Sequence, residues 1–398
     1  MRCKFTGKVI RPFMSFGKMP MANGFLSKND FQKEFFYNLE VGFSKDIFLF
    51  QVNDHPKSQR IFNNKYPFYT NKSKFMTDHF HKYFLWLQNK FLSNKSKIVE
   101  IGSNDGTFLK NFKNNNYQHC GFEPSKNVAD FSKKYGLKVI NNFFSYKNVK
   151  NLKNFKSNTD VICAANVISH IPNLKDLIKG IDYLLSKKGV FVFEEPYLGS
   201  MFKKISYDQI YDAHLFMFSL LSVKEIFKKF NFELVDAYPQ ITHGGSMRYV
   251  IARKGSMKIS SRVNKIIKKE ISMKMDSINS CLKFKKKCED SRENFRKKLF
   301  HLKSIGKKIY GYAAAAKSTT VLNYCNIGPE IIDCIADSTK EKIGKFSPGK
   351  HIPIVATKYF RQNPPDVGVL FSWNHKKEIF EKEKKFKKKG GHWIWHTQ

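Results

Sequence analysis

The chain has 398 residues and a formal net charge of +38, with 41% hydrophobic and 26% charged residues, which excludes a disordered or fibrous protein and leaves length for two or three domains. No apolar run approaches the ~20 residues that span a bilayer, and the opening residues 1–8 hold no apolar signal core. The seven cysteines are scattered and form no Cys-x-x-Cys pair, so the expected setting is cytoplasmic with reduced thiols.

The basic balance raises nucleic acid and anionic membranes as partners. Lysines, however, are dispersed through helix-like and loop-like stretches alike, and no nucleic-acid module is recognisable. The expectation is a solvated basic surface with no nucleic-acid partner and no membrane span. A basic nucleic-acid-binding protein is the competing class, and it predicts binding that falls steeply with salt. Oligomeric state is left open.

In chain order, residues 1–75 are rich in Phe, Gly, Asn and Pro, with short strand-like pieces near 46–52. Residues 76–95 read as an amphipathic helix that begins a second unit, 76–255. Strand patterns at 98–101, 118–122, 138–140, 160–164 and 189–194 alternate with helical ones, such as 127–135 and 174–186. That alternation predicts an α/β domain with a mainly parallel sheet. Late strands at 232–238 and 248–253 bracket a Gly-Gly turn. In 256–305, Val263, Ile267, Ile271, Met275, Ile278 and Leu282 recur at helical spacing, which predicts a helical connector. A second α/β pattern fills 306–398.

Chemistry concentrates in three places. The first is Lys-Ile-Val-Glu-Ile-Gly-Ser-Asn-Asp-Gly at 97–106, a strand, a tight turn and a helix start. Gly102 and Gly106 let a ligand approach the backbone, and Glu100 suits one with positive charge, such as S-adenosylmethionine. Glu123, at the end of the next strand, is placed for ribose hydroxyls. Asn104 and Asn166 complete the expected cofactor set, Asn166 with a helix cap as its alternative role. The second place is 207–219, where Tyr211 and His214 stand three apart and share a face on a helical turn. Histidine is a suitable general base for a carbon acid beside a ketone, although a lone His among aromatics also suits a core. The third is the run Ala-Ala-Ala-Ala-Lys-Ser-Thr-Thr at 313–320, where a helix start and Lys317 would meet a diphosphate, or else form a plain packing turn.

Several motifs together go further. They are 12–25, 66–73, Glu-Ile-Gly-Ser-Asn-Asp-Gly at 100–106, Glu-Glu-Pro-Tyr at 194–197, 207–219, His-Gly-Gly-Ser-Met-Arg at 243–248, 312–324, 344–354 and Ser-Trp-Asn at 372–374. Over nearly its whole length the chain resembles the S-adenosylmethionine-dependent C-methyltransferases of nucleotide-linked 4-keto deoxysugars. The resemblance implies a small zinc-ribbon-like N-terminal domain, a class I Rossmann-like methyltransferase domain and a C-terminal Rossmann-like domain that helps hold the nucleotide sugar. It implies that His214 deprotonates the carbon beside the ketone, that Tyr211 assists, and that the enolate takes the methyl group. Tyr66, Tyr197, His243, Tyr312, Lys317 and Asn323 are the expected acceptor contacts. An O- or N-methyltransferase of a related glycan intermediate is the alternative.

Two departures stand out. Of the zinc-ligand positions Cys3 alone keeps a cysteine; Thr6, Ser44 and Ile47 occupy the other aligned places, so the zinc site is expected to be lost. Ala213 stands where the family commonly has Glu, with Asp212 as a neighbour able to compensate.

Overall fold

A computed structural model describes residues 1–53, 55–64 and 66–397, and among them the strands form three sheets. The N-terminal sheet is antiparallel: β1 (Pro12–Pro20), β2 (Phe36–Ser44) and β3 (Leu49–Val52). Its strands bury Phe13, Met14, Phe16, Leu39 and Val41 in the largest core.

The central sheet contains β4 (Lys97–Ile101), β5 (Gln118–Phe122), β6 (Val139–Ile140), β7 (Thr159–Ala165) and β8 (Leu185–Pro196). After β8 the chain makes β9 (Phe216–Met217), which leaves this layer and pairs with β3. β10 (Phe232–Gln240) and β11 (Ser246–Arg253) then return to it. The order is β10-β11-β8-β7-β4-β5-β6, and β11 runs antiparallel to both neighbours while the other pairs are parallel. Because both faces are covered, β4 and β7 are nearly continuous apolar runs, with Ile98, Val99, Ile101, Val161, Ile162 and Cys163 all buried. The chain proceeds from β4 to β5 and β6 on one side and from β7 to β8 on the other, so a crevice opens between the carboxyl ends of β4 and β7.

Helix Lys74–Phe91 covers one face, started by the Ser73 side chain accepting from the Met76 N–H. It packs Tyr83 and Phe84 against Phe108 and Phe112. It also brings His79 to Glu194, 2.6 Å away, whose other oxygen receives Arg248 Nε at 2.7 Å. The Arg248 guanidinium lies 3.8 Å from the Tyr83 ring centre and 4.6 Å from that of Trp86. This buried cluster fastens β11 to β8 and accounts for the Arg of the Gly-Gly-Ser-x-Arg motif. Full pairing and ring stacking offset the desolvation of these charges.

The connector is helical, but not every residue of its apolar stripe is buried. It forms two helices, Ser261–Ser272 and Ile278–Ser304, broken where Lys274 takes φ 55°. Val263 and Met275 are buried, but Ile271 and Leu282 face solvent.

The C-terminal sheet is wholly parallel: β12 (Ile309–Tyr312), β13 (Cys334–Asp337), β14 (Ile354–Ala356), β15 (Val367–Leu370) and β16 (His392–Ile394), in the order β14-β13-β12-β15-β16. Its reversal point lies between β12 and β15. Helix Ala316–Tyr324 follows β12 and is tied to both other layers. Thr319 Oγ1 donates to the Ala22 carbonyl at 2.8 Å, and Thr320 Oγ1 to the Ile210 carbonyl at 3.0 Å. Among the described residues no helix is long and apolar enough to cross a membrane.

Candidate active site

The carboxyl ends of the central and C-terminal sheets share one cavity of about 970 Å³. Ligand pockets commonly measure ~300–1,000 Å³, so this space accommodates two ligands side by side.

Its first wall is the loop after β4. Gly102 takes φ 68°, and a Cβ there would stand 2.3 Å from Val167 Cγ2 in the loop after β7. Glu100 lines the cavity, and one of its carboxylate oxygens is buried with no partner. Burial, then the neighbouring Asp105 and Glu123, pushes its pKa well above the carboxylate range. Glu123 accepts the Ser125 N–H at 2.7 Å and the Asn104 N–H at 3.1 Å; burial lifts its pKa against those bonds. Asn166, at φ 57°, lines the cavity with its Oδ1 shut from water and unpartnered, so it is not simply a helix cap.

These groups fit S-adenosylmethionine. An ammonium or sulfonium beside Glu100 would restore the charge that burial suppresses. Glu123 retains lone pairs for ribose hydroxyls, and Asn166 holds an acceptor without a donor. Two members of the expected set act otherwise. Asn104 lines the cavity, but its Oδ1 accepts the Thr70 N–H and hydroxyl, both at 3.1 Å, and its amide donates to the Phe68 carbonyl. With Asp105, which accepts the Asn71 N–H at 2.8 Å, it fastens the 68–71 segment over the loop. Gly106 does not line the cavity; a Cβ on it would stand 2.2 Å from Leu137, so it allows close packing.

The second wall carries His214. Its Nδ1 lies 2.8 Å from the Gln209 carbonyl, which can only accept, so Nδ1 holds the hydrogen. Nε2 is then the basic nitrogen, and it accepts from the Tyr211 hydroxyl at 2.8 Å. The expected pairing therefore forms, although in a loop after a short 3-10 turn at Tyr207–Gln209 rather than on a helix. Burial, then the nearby His170, drives the His214 pKa well below the imidazole range, so the ring is neutral near pH 7. His170 is a cavity residue that the sequence reading missed. It stacks on His214 with ring centres 5.2 Å apart, its Nε2 is unpartnered, and burial lowers its pKa to about 4. The signal was present in its position four residues after Asn166, on the same strand-end loop.

His243 and Lys317 also line the cavity. His243 sits at φ 52° with Nε2 unpartnered, and burial lowers its pKa to about 3. Gly244 beside it touches Trp373, where a Cβ would come within 2.5 Å. Lys317 lies in the first turn of helix Ala316–Tyr324, its Nζ 3.5 Å from Asp208 and 3.3 Å from Asn374 Oδ1. Asp208 is fully buried and also meets Trp373 Nε1 at 2.9 Å and His396 at 3.2 Å. Burial alone would raise its pKa, but Lys317 and His396 hold it down to about 2. Since Asp208 adjoins Gln209, the lysine and the base are mounted on one buried cluster.

Tyr66 lines the cavity, and Asn127 donates to its carbonyl at 2.9 Å. Three expected contacts lie elsewhere. The Tyr197 hydroxyl donates to Glu270 of the connector at 2.8 Å, because that buried carboxylate already caps the helix start at Leu220 and Leu221. Tyr312 packs among Phe360 and Trp393 and donates to Glu383 at 2.7 Å. Asn323, two turns into its helix, donates to the Thr319 and Pro348 carbonyls. Ala213 leaves no carboxylate beside the base. Asp212 does not replace one: it is buried, takes the Ala22 and Ala213 N–H groups and does not line the cavity.

Cys3 Sγ accepts the Thr6 N–H at 3.4 Å, and Ser44 and Ile47 are buried. One thiol, two hydroxyls and an alkyl group do not fit a tetrahedral zinc ion.

Family comparison agrees with this architecture. Residues 3–62 match the model described as "Putative zinc binding domain", 71–237 match "Methyltransferase domain" and 241–397 match "C-methyltransferase C-terminal domain". The protein is a methyltransferase. The three matched regions follow one another along the chain in this order. It is 26% identical over 384 residues to the C-methyltransferase NovU of Streptomyces niveus, covering 96% of this chain and 91% of that protein. Among solved structures it is similar to a SAM-dependent methyltransferase from Archaeoglobus fulgidus, at 15% identity over 42% of this chain and 71% of the other, with a TM-score of 0.34. It is also similar to magnesium protoporphyrin IX methyltransferase from Synechocystis PCC 6803, at 9% identity over 45% and 79%, again with a TM-score of 0.34.

Proposed function

We propose that the protein moves a methyl group from S-adenosylmethionine to a carbon beside the ketone of a nucleotide-linked 4-keto deoxysugar. The observation that carries this reading is His214, whose Nδ1 is bound to the Gln209 carbonyl and whose Nε2 is left as the basic nitrogen, in the cavity that also holds Glu100, Asn166 and Lys317. When bound, S-adenosylmethionine supplies an electrophilic methyl group.

The chain's own residues do the rest. Glu100, Glu123 and Asn166 hold the donor, while Lys317 and the start of its helix meet the diphosphate. The Tyr211 hydroxyl, which occupies Nε2, swings to the sugar's carbonyl oxygen and stabilises the developing enolate. That movement frees the Nε2 lone pair to take the proton from the adjacent carbon. The carbon–hydrogen bond breaks and its electron pair forms the enolate, whose carbon would take the methyl group as the sulfur–methyl bond breaks and S-adenosylhomocysteine leaves. His214 then releases its proton to solvent. A base of low pKa suits a site that must remain unprotonated, so activity on the acid side should persist below the ordinary imidazole value of 6.5.

The test is His214→Asn. Binding of S-adenosylhomocysteine should persist, while turnover falls by the ~10²–10⁴-fold a general base contributes. Undiminished turnover would remove His214 from the role. The missing carboxylate at Ala213 is compatible with an O- or N-methyl acceptor, which requires less of a carbon-acid base; the chemical shift of the transferred methyl separates the two.

A further inference from the structure

The C-terminal sheet supplies its own wall to the cavity at its reversal point. Helix Ala316–Tyr324 begins at the carboxyl end of β12 and carries Lys317. One strand outward, β13 ends on Asp337, which is buried yet lines the cavity. Its Oδ1 accepts the Thr339 N–H at 2.7 Å. Its Oδ2 lies 3.9 Å from Lys342 Nζ, too far for a hydrogen bond, because that ammonium is donated to the Ala314 carbonyl at 2.6 Å. Asp337 therefore brings to the cavity wall, beside the start of helix Ala316–Tyr324, a carboxylate oxygen that receives no hydrogen bond among the described residues.

We propose that Asp337 receives the furanose hydroxyls of the acceptor's nucleoside. The inference rests on the reading that the acceptor is linked to a nucleoside diphosphate, and it identifies the residue that recognises the nucleoside. In an open parallel sheet, a phosphate seated at the helix start after one strand places the furanose beside the end of the neighbouring strand. The neighbour here is β13, since it pairs with β12 and ends on Asp337. A carboxylate accepts both hydroxyl hydrogens of a ribose, or the single 3′ one of a deoxyribose, without any base-specific contact, so the site reads the sugar of the carrier and tolerates different bases.

The test uses the full chain saturated with S-adenosylhomocysteine. Calorimetry compares UDP, GDP and dTDP, each against its 2′,3′-dideoxy counterpart, on wild type, Asp337→Asn and Lys317→Ala. Wild type should prefer the hydroxyl-bearing forms by ~10–100-fold, as hydrogen bonds to a charged group allow. Asp337→Asn should bring that preference to within a few fold. The wild-type arm needs no variant to fold. Equal binding of both forms by wild type overturns the proposal. So does a preference that survives in Asp337→Asn, or a loss in that variant that follows the base rather than the furanose. If no diphosphate binds wild type, the nucleotide-linked acceptor fails as well. If all bind, with Lys317 dependence but without hydroxyl preference, Asp337 alone is wrong.

Discussion

Replacing Gly102 with alanine adds a methyl group where the loop has no room for one. The residue sits at φ 68°, and the new Cβ would stand 2.3, 2.9 and 3.1 Å from three side-chain atoms of Val167. Val167 does not yield easily, since its N–H donates to the buried Glu195 at 2.8 Å. The left-handed backbone costs ~1–2 kcal/mol and overpacking a further ~1–3 kcal/mol, together about 2–5 kcal/mol. For a domain of this size each kcal/mol lowers the melting temperature by ~2–4 °C, so a fall of about 5–15 °C is expected. S-adenosylhomocysteine should bind at least ~10-fold more weakly, because relief of the clash displaces the Glu100 edge of the cavity. Gly255→Ala is the matched control: it shares a positive φ, 74°, but its Cβ would meet nothing within 4 Å. Thermal unfolding and calorimetry of both variants isolate the contact with Val167. Equal shifts in the two, with unchanged S-adenosylhomocysteine affinity, would show that the contact with Val167 does not hold the loop.

Three further outcomes follow from the same geometry. Asp208→Asn should lose about 2–3 kcal/mol of stability at pH 7, since lowering that carboxyl from 3.8 to about 2 is worth roughly 2.5 kcal/mol. The contribution is complete above pH ~4 and disappears as pH falls towards 2; an unchanged urea midpoint at pH 7 would count against the buried cluster. Arg248→Lys keeps the charge but loses the fork on Glu194 and the stacking on Tyr83 and Trp86, so urea unfolding should show a loss of about 2–4 kcal/mol. Plasma emission analysis of the purified protein should find no stoichiometric zinc, because Thr6, Ser44 and Ile47 offer no thiolate beside Cys3; one zinc per chain would contradict that.

Much of the framework was legible because it is local. The β4 strand, its Gly102 turn and Glu123 at the end of the next strand follow from apolar runs ended by small residues, and β5 begins and ends where its pattern does. Tyr211 and His214 meet because three residues of chain suffice to bring them together. The misses are long-range. Tyr197 ends a cavity-side strand, but a carboxylate 73 residues away captures its hydroxyl. Tyr312 is drawn to Glu383 across the C-terminal sheet, 71 residues on. Ile271 and Leu282 share the apolar spacing of the connector yet face solvent, and spacing alone does not say where the buried stripe ends. His170 and Asp337 were passed over because each occupies a loop or strand end whose neighbours come from distant segments.

Methyl transfer to the carbon beside a ketone, proposed above, leaves a direct spectroscopic trace. The most direct measurement incubates the protein with methyl-¹³C S-adenosylmethionine and a panel of dTDP-, GDP- and CDP-linked 4-keto deoxysugars, then reads the product by ¹³C NMR. A labelled methyl resonance in the range of carbon-bound methyl groups, coupled to the ring position beside the ketone, is the predicted result. A resonance in the O-methyl or N-methyl range, or no transfer to any 4-keto sugar nucleotide, would contradict the account.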